Sequence, residues 1–164
     1  MLKDELVPLK AKKIIFESVL TPTLMYGAEA WAVNKKERSK VQAAEMRTLR
    51  AIVGKTRRDR IRNEKIREEV GVSSMLRKID AAQLRWLGHL ERMDEGRIAK
   101  KRWNWTPQGR RPVGRPRKRW KDAIQETLQR YDLPKLEDLR RDQTLQDRKP
   151  WKKRLARLTE KQYL

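Results

Sequence analysis

The chain has 164 residues, with 43 Lys or Arg against 22 Asp or Glu and a net charge of +21. Charged residues make up 40% and hydrophobic residues 37%, against about 25% and ~45–50% in an ordinary domain. A modest core under a strongly basic surface is therefore expected, in one domain or two very small ones. Cysteine is absent and histidine occurs once, as His89, which excludes a disulfide framework, zinc fingers and knuckles, and a His-rich metal centre.

No apolar run approaches the ~20 residues that span a bilayer. The opening residues MLKDELVPLK hold no apolar stretch of the kind a secretory leader needs. The composition leads us to expect a soluble, intracellular protein, nuclear or nucleo-cytoplasmic, without cofactor, metal, membrane contact or small-molecule substrate. A polyanion, DNA or RNA, is the expected partner.

Apolar residues recur at helical spacing almost throughout, which predicts an all-α fold of six or seven short helices in a small bundle. The first helix is expected from Lys10 to about Leu20, burying Ile14, Ile15, Val19 and Leu20, with Pro22 kinking or ending it. A short turn follows from Thr23 to Tyr26, stopped by Gly27. The stretch Ala28–Val33 alternates apolar and polar residues like a strand. Asn34 with Glu37 reads as a capping box for a helix to about Val53, with Val41, Ala44, Leu49 and Ile52 inward and Gly54 as its stop.

Lys55 to Arg62, KTRRDRIR, is a basic link. Asn63 caps a helix bearing Ile66 and Val70 that closes at Gly71. Ser74 caps a longer one to about Met93, with Leu76, Ile79, Trp86, Leu90 and Met93 on its apolar side. Gly88 inside it costs ~1 kcal/mol relative to Ala, which points to close packing against another backbone. From Arg97 to Lys121 there are eleven basic residues and no acidic one. Pro107, Gly109, Pro112, Gly114 and Pro116 break helix there, so Thr106–Arg115 is expected to be a mobile exposed loop. Pro116 suits the first turn of the following helix, whose apolar face is Trp120, Ile124, Leu128 and Tyr131. Two shorter helices end the chain, one with Leu136 and Leu139, the other with Trp151, Leu155 and Leu158.

No P-loop, nucleophile elbow or dinucleotide-binding glycine motif occurs. The acidic pairs Asp4-Glu5, Glu68-Glu69 and Asp94-Glu95 each lie within a helical turn of Lys or Arg, as solvated ion pairs do. Nothing in the sequence marks the chain as an enzyme, and no catalytic residue is assigned.

The binding signals are basic and aromatic. Arg110, Arg111, Gly114, Arg115, Pro116, Arg117, Lys118 and Arg119 form a Gly-Arg-Pro core between cations, which resembles an AT-hook. Glycine clears a narrow groove, the prolines keep the backbone extended, and arginine lies on the A·T minor-groove floor. Val113 stands where that motif has a basic residue, and a basic linker gripping phosphates without sequence preference is the alternative. Trp103 and Trp105 beside the loop either stack on unpaired bases or anchor a thin core. Trp31, Trp86, Trp120 and Trp151 have core spacing. Arg57, Arg58, Arg60 and Arg62 of the link, with His89 and Arg92, complete the expected nucleic-acid contacts.

A set of ordered blocks resembles a known family. Leu24-Met-Tyr-Gly-Ala-Glu-Ala-Trp31 is similar to the LLYGSETW block that follows the catalytic palm in reverse transcriptases of non-LTR retrotransposons. After it come Ala44-Glu-Met-Arg-Thr-Leu-Arg50, Arg58-Asp-Arg-Ile-Arg-Asn63 and Leu84-Arg-Trp-Leu-Gly-His-Leu-Glu-Arg-Met93. Gly114-Arg-Pro-Arg-Lys-Arg-Trp120 and Gln146-Asp-Arg-Lys-Pro-Trp151 close the series. Their order looks like that of the RTE-type endonuclease–reverse transcriptases, over roughly Lys10 to Trp151.

The resemblance implies thumb-like helices over residues 1–54 that grip primer–template, and a helical linker region over 55–96. The residues themselves give a basic AT-hook-like loop over 97–121 and C-terminal helices over 116–164. Gly88, His89, Arg92 and the Gly114–Trp120 block match the family's C-terminal part. The palm with its Asp pair and the endonuclease have no counterpart, so a non-catalytic nucleic-acid-binding fragment is expected. A free-standing AT-hook-like DNA-binding or chromatin-associated protein, or an element remnant without selected function, is the alternative.

Overall fold

The computed structural model describes residue 4 and residues 6–106, 108–109, 113–114 and 118–160. The chain is all-α, and no strand occurs among the described residues. It divides into two compact units, Met1–Ala28 with Lys35–Ile79, and Glu29–Asn34 with Asp80–Leu164.

In the first unit, α1 (Leu9–Ile15) continues through a π-helical turn (Phe16–Leu20) into α2 (Thr21–Met25). Pro22 was expected to kink or end the helix, yet the backbone at Leu20 and Thr21 stays in the right-handed helical region. The wide turn explains this. Proline brings no N–H and clashes with the carbonyl four residues back. The extra residue of the π turn shifts that register, and the Thr21 N–H and hydroxyl both donate to the Phe16 carbonyl, the hydroxyl at 2.9 Å.

The buried face is not the expected one, and beyond Phe16 the insertion shifts it by one residue. Lys12, Phe16 and Thr21 are buried, at spacings of four and then five residues, while Ile14 and Val19, expected inside, are 55% and 56% exposed. A regular 3.6-residue reading has the wrong phase here.

Helix α3 (Lys35–Ile52) begins just after Asn34, and α4 (Asn63–Val70) ends at Gly71, which has φ 72°. The Gly71 N–H reaches the Arg67 carbonyl at 2.8 Å and the Val72 N–H reaches the same carbonyl at 3.0 Å. These bonds satisfy the end of α4 as glycine in the left-handed region allows. Helix α3 packs against α1 and α4. Met46, Leu49, Ile52, Ile66, Val70, Val72 and Met75 are buried with Phe16.

Ala44, expected inside, is exposed, and Glu45 beside it is fully buried. Glu45 meets Arg67 in a two-pronged pair, Nε to Oε1 at 3.1 Å and Nη2 to Oε2 at 2.9 Å, and also accepts the Met75 N–H at 2.9 Å. A carboxylate so satisfied can take a core position.

The second unit holds most of α5 (Met75–Arg92), then α6 (Ile98–Asn104), α7 (Trp120–Arg130), α8 (Leu136–Arg141) and α9 (Arg148–Glu160). Its core joins Leu84, Leu87 and Leu90 of α5 to Ile124, Leu128, Leu136, Leu139 and Trp151. The stretch expected to alternate like a strand is a 3₁₀ turn (Ala28–Ala30) followed by extended chain. Side chains take its carbonyls in place of a neighbouring strand. Trp120 Nε1 donates to Glu29 at 2.8 Å, Gln83 Nε2 to Trp31 at 2.8 Å and Lys118 Nζ to Val33 at 3.1 Å.

Gly88 is closely packed, against a side chain and not the backbone we expected. A Cβ there would stand 2.6 Å from Cδ1 and Nε1 of Trp151, whose indole N–H donates to the Leu84 carbonyl at 3.0 Å. Overpacking costs ~1–3 kcal/mol, and alanine regains ~1 kcal/mol of helix propensity. Gly88→Ala is therefore expected to lower stability by about 0–2 kcal/mol despite the better helix former. Denaturant unfolding followed by tryptophan fluorescence checks this, and a stabilised variant would contradict it.

Candidate nucleic-acid interface

In the first unit, α3 stops at Gly54, which has φ 66°, and the Lys55 N–H returns to the Arg50 carbonyl at 2.9 Å. The basic link that follows is a built turn. Asp59 Oδ2 accepts the Thr56 N–H at 2.6 Å and the Thr56 hydroxyl at 3.0 Å, and the Arg58 N–H donates to the Thr56 Oγ1 at 3.2 Å. The backbone bond from Thr56, and then the bond from its hydroxyl, hold the Asp59 carboxyl below its ordinary value, with Lys55 adding to the effect. The one acidic residue of the link is thus spent on shaping it. Arg57, Arg58, Arg60 and Arg62 are all exposed. None of the four is in an ion pair among the described residues.

Beside this turn lies a groove of about 1010 Å³ between α3 and the link. Arg47, Arg50, Lys55 and Arg57 line it with Thr56 and Asn63, and no Asp or Glu does. Arg50 is the fixed point. Its Nη2 donates to the Ile61 carbonyl and to Asn63 Oδ1, both at 2.9 Å. Its Nε is buried without a partner among the described residues. A guanidinium gripped on one side is oriented before any ligand arrives. Four cations around one concave surface also focus positive potential into it. Of these groove residues the sequence pointed only to Arg57. Arg47 and Arg50 share a face of α3, but nothing local shows that the link folds back beside that face.

The second unit distributes the other expected contacts unevenly. His89 is exposed, its ring tilted against Trp86 at 5.2 Å. Arg92 is half-buried and donates to the Leu145 carbonyl at 2.6 Å, and burial, with Arg148 adding, lowers its guanidinium from the ordinary value. It closes the unit and does not stand free.

Trp103 has no face left for a base. It is 8% exposed, with Trp120 edge-on at 5.2 Å, Lys121 at 5.0 Å and Arg140 at 5.4 Å over its ring, and its N–H given to Glu91 at 2.6 Å. Of its two readings the core one holds. Trp105, at the end of α6, is 55% exposed with Arg102 over it at 5.7 Å.

The eleven cations between Arg97 and Lys121 are not equally free. Lys100 is buried, 3.7 Å from Glu91 and 3.5 Å from Glu95, and Lys118 pairs with Glu126 at 2.6 Å. The Arg119 N–H donates to Asp122 at 3.1 Å and so starts α7. Gly114 has φ 111°. Arg110, Arg111, Arg115, Pro116 and Arg117 lie outside the described residues. Among the described residues there is no His, Cys, Asp and Glu group that could hold a metal ion, and no helix long and apolar enough to cross a membrane.

Fold and surface together define a basic all-α protein with a cation-lined groove. No protein-family model matches the chain, and no solved structure matches it. It is 30% identical over 134 residues to a Caenorhabditis elegans protein described as uncharacterized and transposon-derived. The match covers 79% of this chain and 48% of that relative, so the chain spans about half the length of the curated relative it matches. Most of the chain is therefore similar to part of a transposon-derived protein.

Proposed function

We propose that the chain is the thumb and basic C-terminal part of an RTE-type non-LTR retrotransposon reverse transcriptase, a non-catalytic grip on template–primer or target DNA. The observation that carries this reading is the groove of the first unit, where Arg47, Arg50, Lys55 and Arg57 meet without a carboxylate. The six ordered sequence blocks and the similarity to a transposon-derived protein support the origin. The groove and the exposed arginines of the link support the binding. Phosphate oxygens are the natural partners of such a surface, since guanidinium groups bind them in pairs of hydrogen bonds.

Anisotropy titrations of duplex DNA across a salt series test the grip. Engaging ~5 phosphates gives a slope of about −4 to −5 in log K against log salt, and each lost phosphate contact removes about 1. Arg50→Ala and Arg57→Ala are each expected to flatten the slope by that amount. A wild-type slope near zero would sink the proposal.

The minor-groove reading rests on the Gly114-Arg115-Pro116 core of the sequence. It extends the same titration to A·T-rich and G·C-rich duplexes. Arg115→Ala should then weaken A·T-rich binding more than loss of the exposed Lys101 does. Equal losses would leave a basic linker that grips phosphates alone.

A further inference from the structure

Within the second unit, Ala82, Arg85, Trp86 and His89 come to one side of α5, because residues three and four apart on a helix are neighbours. Together with Glu29 they line a recess of about 270 Å³. It is a shallow depression open to solvent, not an enclosed cavity. Its two walls are held independently. Arg85, Trp86 and His89 belong to a long helix, and Trp86 packs on the unit's core. Glu29 is pinned through its carbonyl by the Trp120 indole at 2.8 Å.

The chemistry of the lining is mixed in an unusual way for this chain. Glu29 and Arg85 line the same recess, and their charged groups make no ion pair or hydrogen bond among the described residues. A carboxylate left unpaired in a protein of net charge +21 is an acceptor waiting for donors. Beside it stand an indole and an imidazole, 5.2 Å apart and tilted by 44°. Aromatic face, hydrogen-bond acceptor and cation are the three things a nucleotide asks for: a platform for the base, a partner for its N–H edge and a charge for its phosphate.

We propose that this recess binds one unpaired guanine of a nucleic-acid strand. The base lies on Trp86 and against His89, Glu29 takes the N1–H and the 2-amino N–H, and Arg85 meets a flanking phosphate. Guanine is singled out because it offers two adjacent N–H donors to the two oxygens of one carboxylate, whereas adenine and cytosine offer only an amino group on that edge. The site goes beyond the phosphate grip. It reads a base, it lies in the other unit, and it shares no residue with the groove.

The test uses the full chain and short labelled oligothymidylate strands that differ at one central position, guanine, hypoxanthine or no base, at one salt concentration. The guanine strand is expected to bind about tenfold more tightly than the abasic strand, as one stacked base allows. Hypoxanthine, which lacks the 2-amino group, should fall between them. Glu29→Gln should abolish the advantage of guanine over hypoxanthine, and His89→Ala should shrink the advantage of either base over the abasic strand. Both positions are chosen because neither side chain makes a hydrogen bond or ion pair among the described residues.

Equal affinity for the three strands, with steep salt dependence retained, overturns the base site and leaves the phosphate grip standing. A Glu29→Gln protein that binds all three strands more tightly by one common factor also overturns it, since that is the signature of a removed negative charge alone. Failure to bind any strand overturns the site and the proposed function together.

Discussion

Replacing Glu45 by alanine is expected to destabilise the first unit by about 3–5 kcal/mol, the cost of stranding a buried charge. Glu45 is fully buried and Arg67 keeps 7% of its side chain exposed. Deleting the carboxylate leaves the guanidinium without its two hydrogen bonds and the Met75 N–H without its acceptor. The paired change Glu45→Leu with Arg67→Met should cost far less than the single one. Apolar side chains of similar volume carry no charge that must be stripped of water on folding, and such replacements are often neutral.

The probe matters, because all six tryptophans lie in the second unit. Hydrogen exchange of the α3 and α4 amides reports the first unit, and tryptophan fluorescence does not. A single variant that loses less than about 1 kcal/mol would mean that the pair is solvated as a surface bridge is.

Glu91→Gln is expected to weaken the second unit by about 3 kcal/mol. Glu91 is 8% exposed. It accepts the Trp103 indole N–H at 2.6 Å and two Arg140 donors at 2.9 and 2.6 Å, and it faces Lys100 Nζ at 3.7 Å. Glutamine keeps an acceptor but loses the charge and turns an amide N–H₂ toward Lys100, whose side chain is only 6% exposed. Lys100 suffers most, because Arg140, 38% exposed, still has water. Adding Lys100→Met should therefore recover much of the loss. Denaturant unfolding read by tryptophan emission measures both variants. A single variant close to wild type, or a double variant no better than the single, would show that Glu91 is not the anchor of Trp103 and Lys100.

The candidate site was legible in part. The cations of the Lys55–Arg62 link stand where the sequence put them, exposed. The shape of the link was not visible, because it rests on the Thr56 N–H and hydroxyl both turning to Asp59. Trp103 and Trp105 have nearly the same sequence surroundings and opposite fates. Trp103 is closed in by Arg140, Lys121 and Trp120, and Arg140 lies far along the chain. Among the eleven cations of the basic segment, Lys100 is engaged by Glu91 and Glu95, both outside its helix, and Lys118 by Glu126 of α7.

The amino-acid sequence by itself determined the all-helical class, the basic surface and where several helices start and stop. Those features depend on groups within one turn of one another: the periodic apolar residues, Asn34 before α3, Gly54 after it and Gly71 after α4. Local backbone sterics and orphaned N–H and C=O groups decide them, whatever the rest of the chain does. Tertiary structure alone decided the phase of the buried face of α1, where Lys12 and Phe16 are buried and Ile14 is exposed. It also decided the burial of Glu45, Glu91 and Lys100, the enclosure of Trp103 and the meeting of α3 with the link to form the groove. The physical reason is common to these ionic and aromatic cases. A charge or an indole N–H leaves water only when a partner arrives to replace the hydration, and that partner comes from another element of the fold.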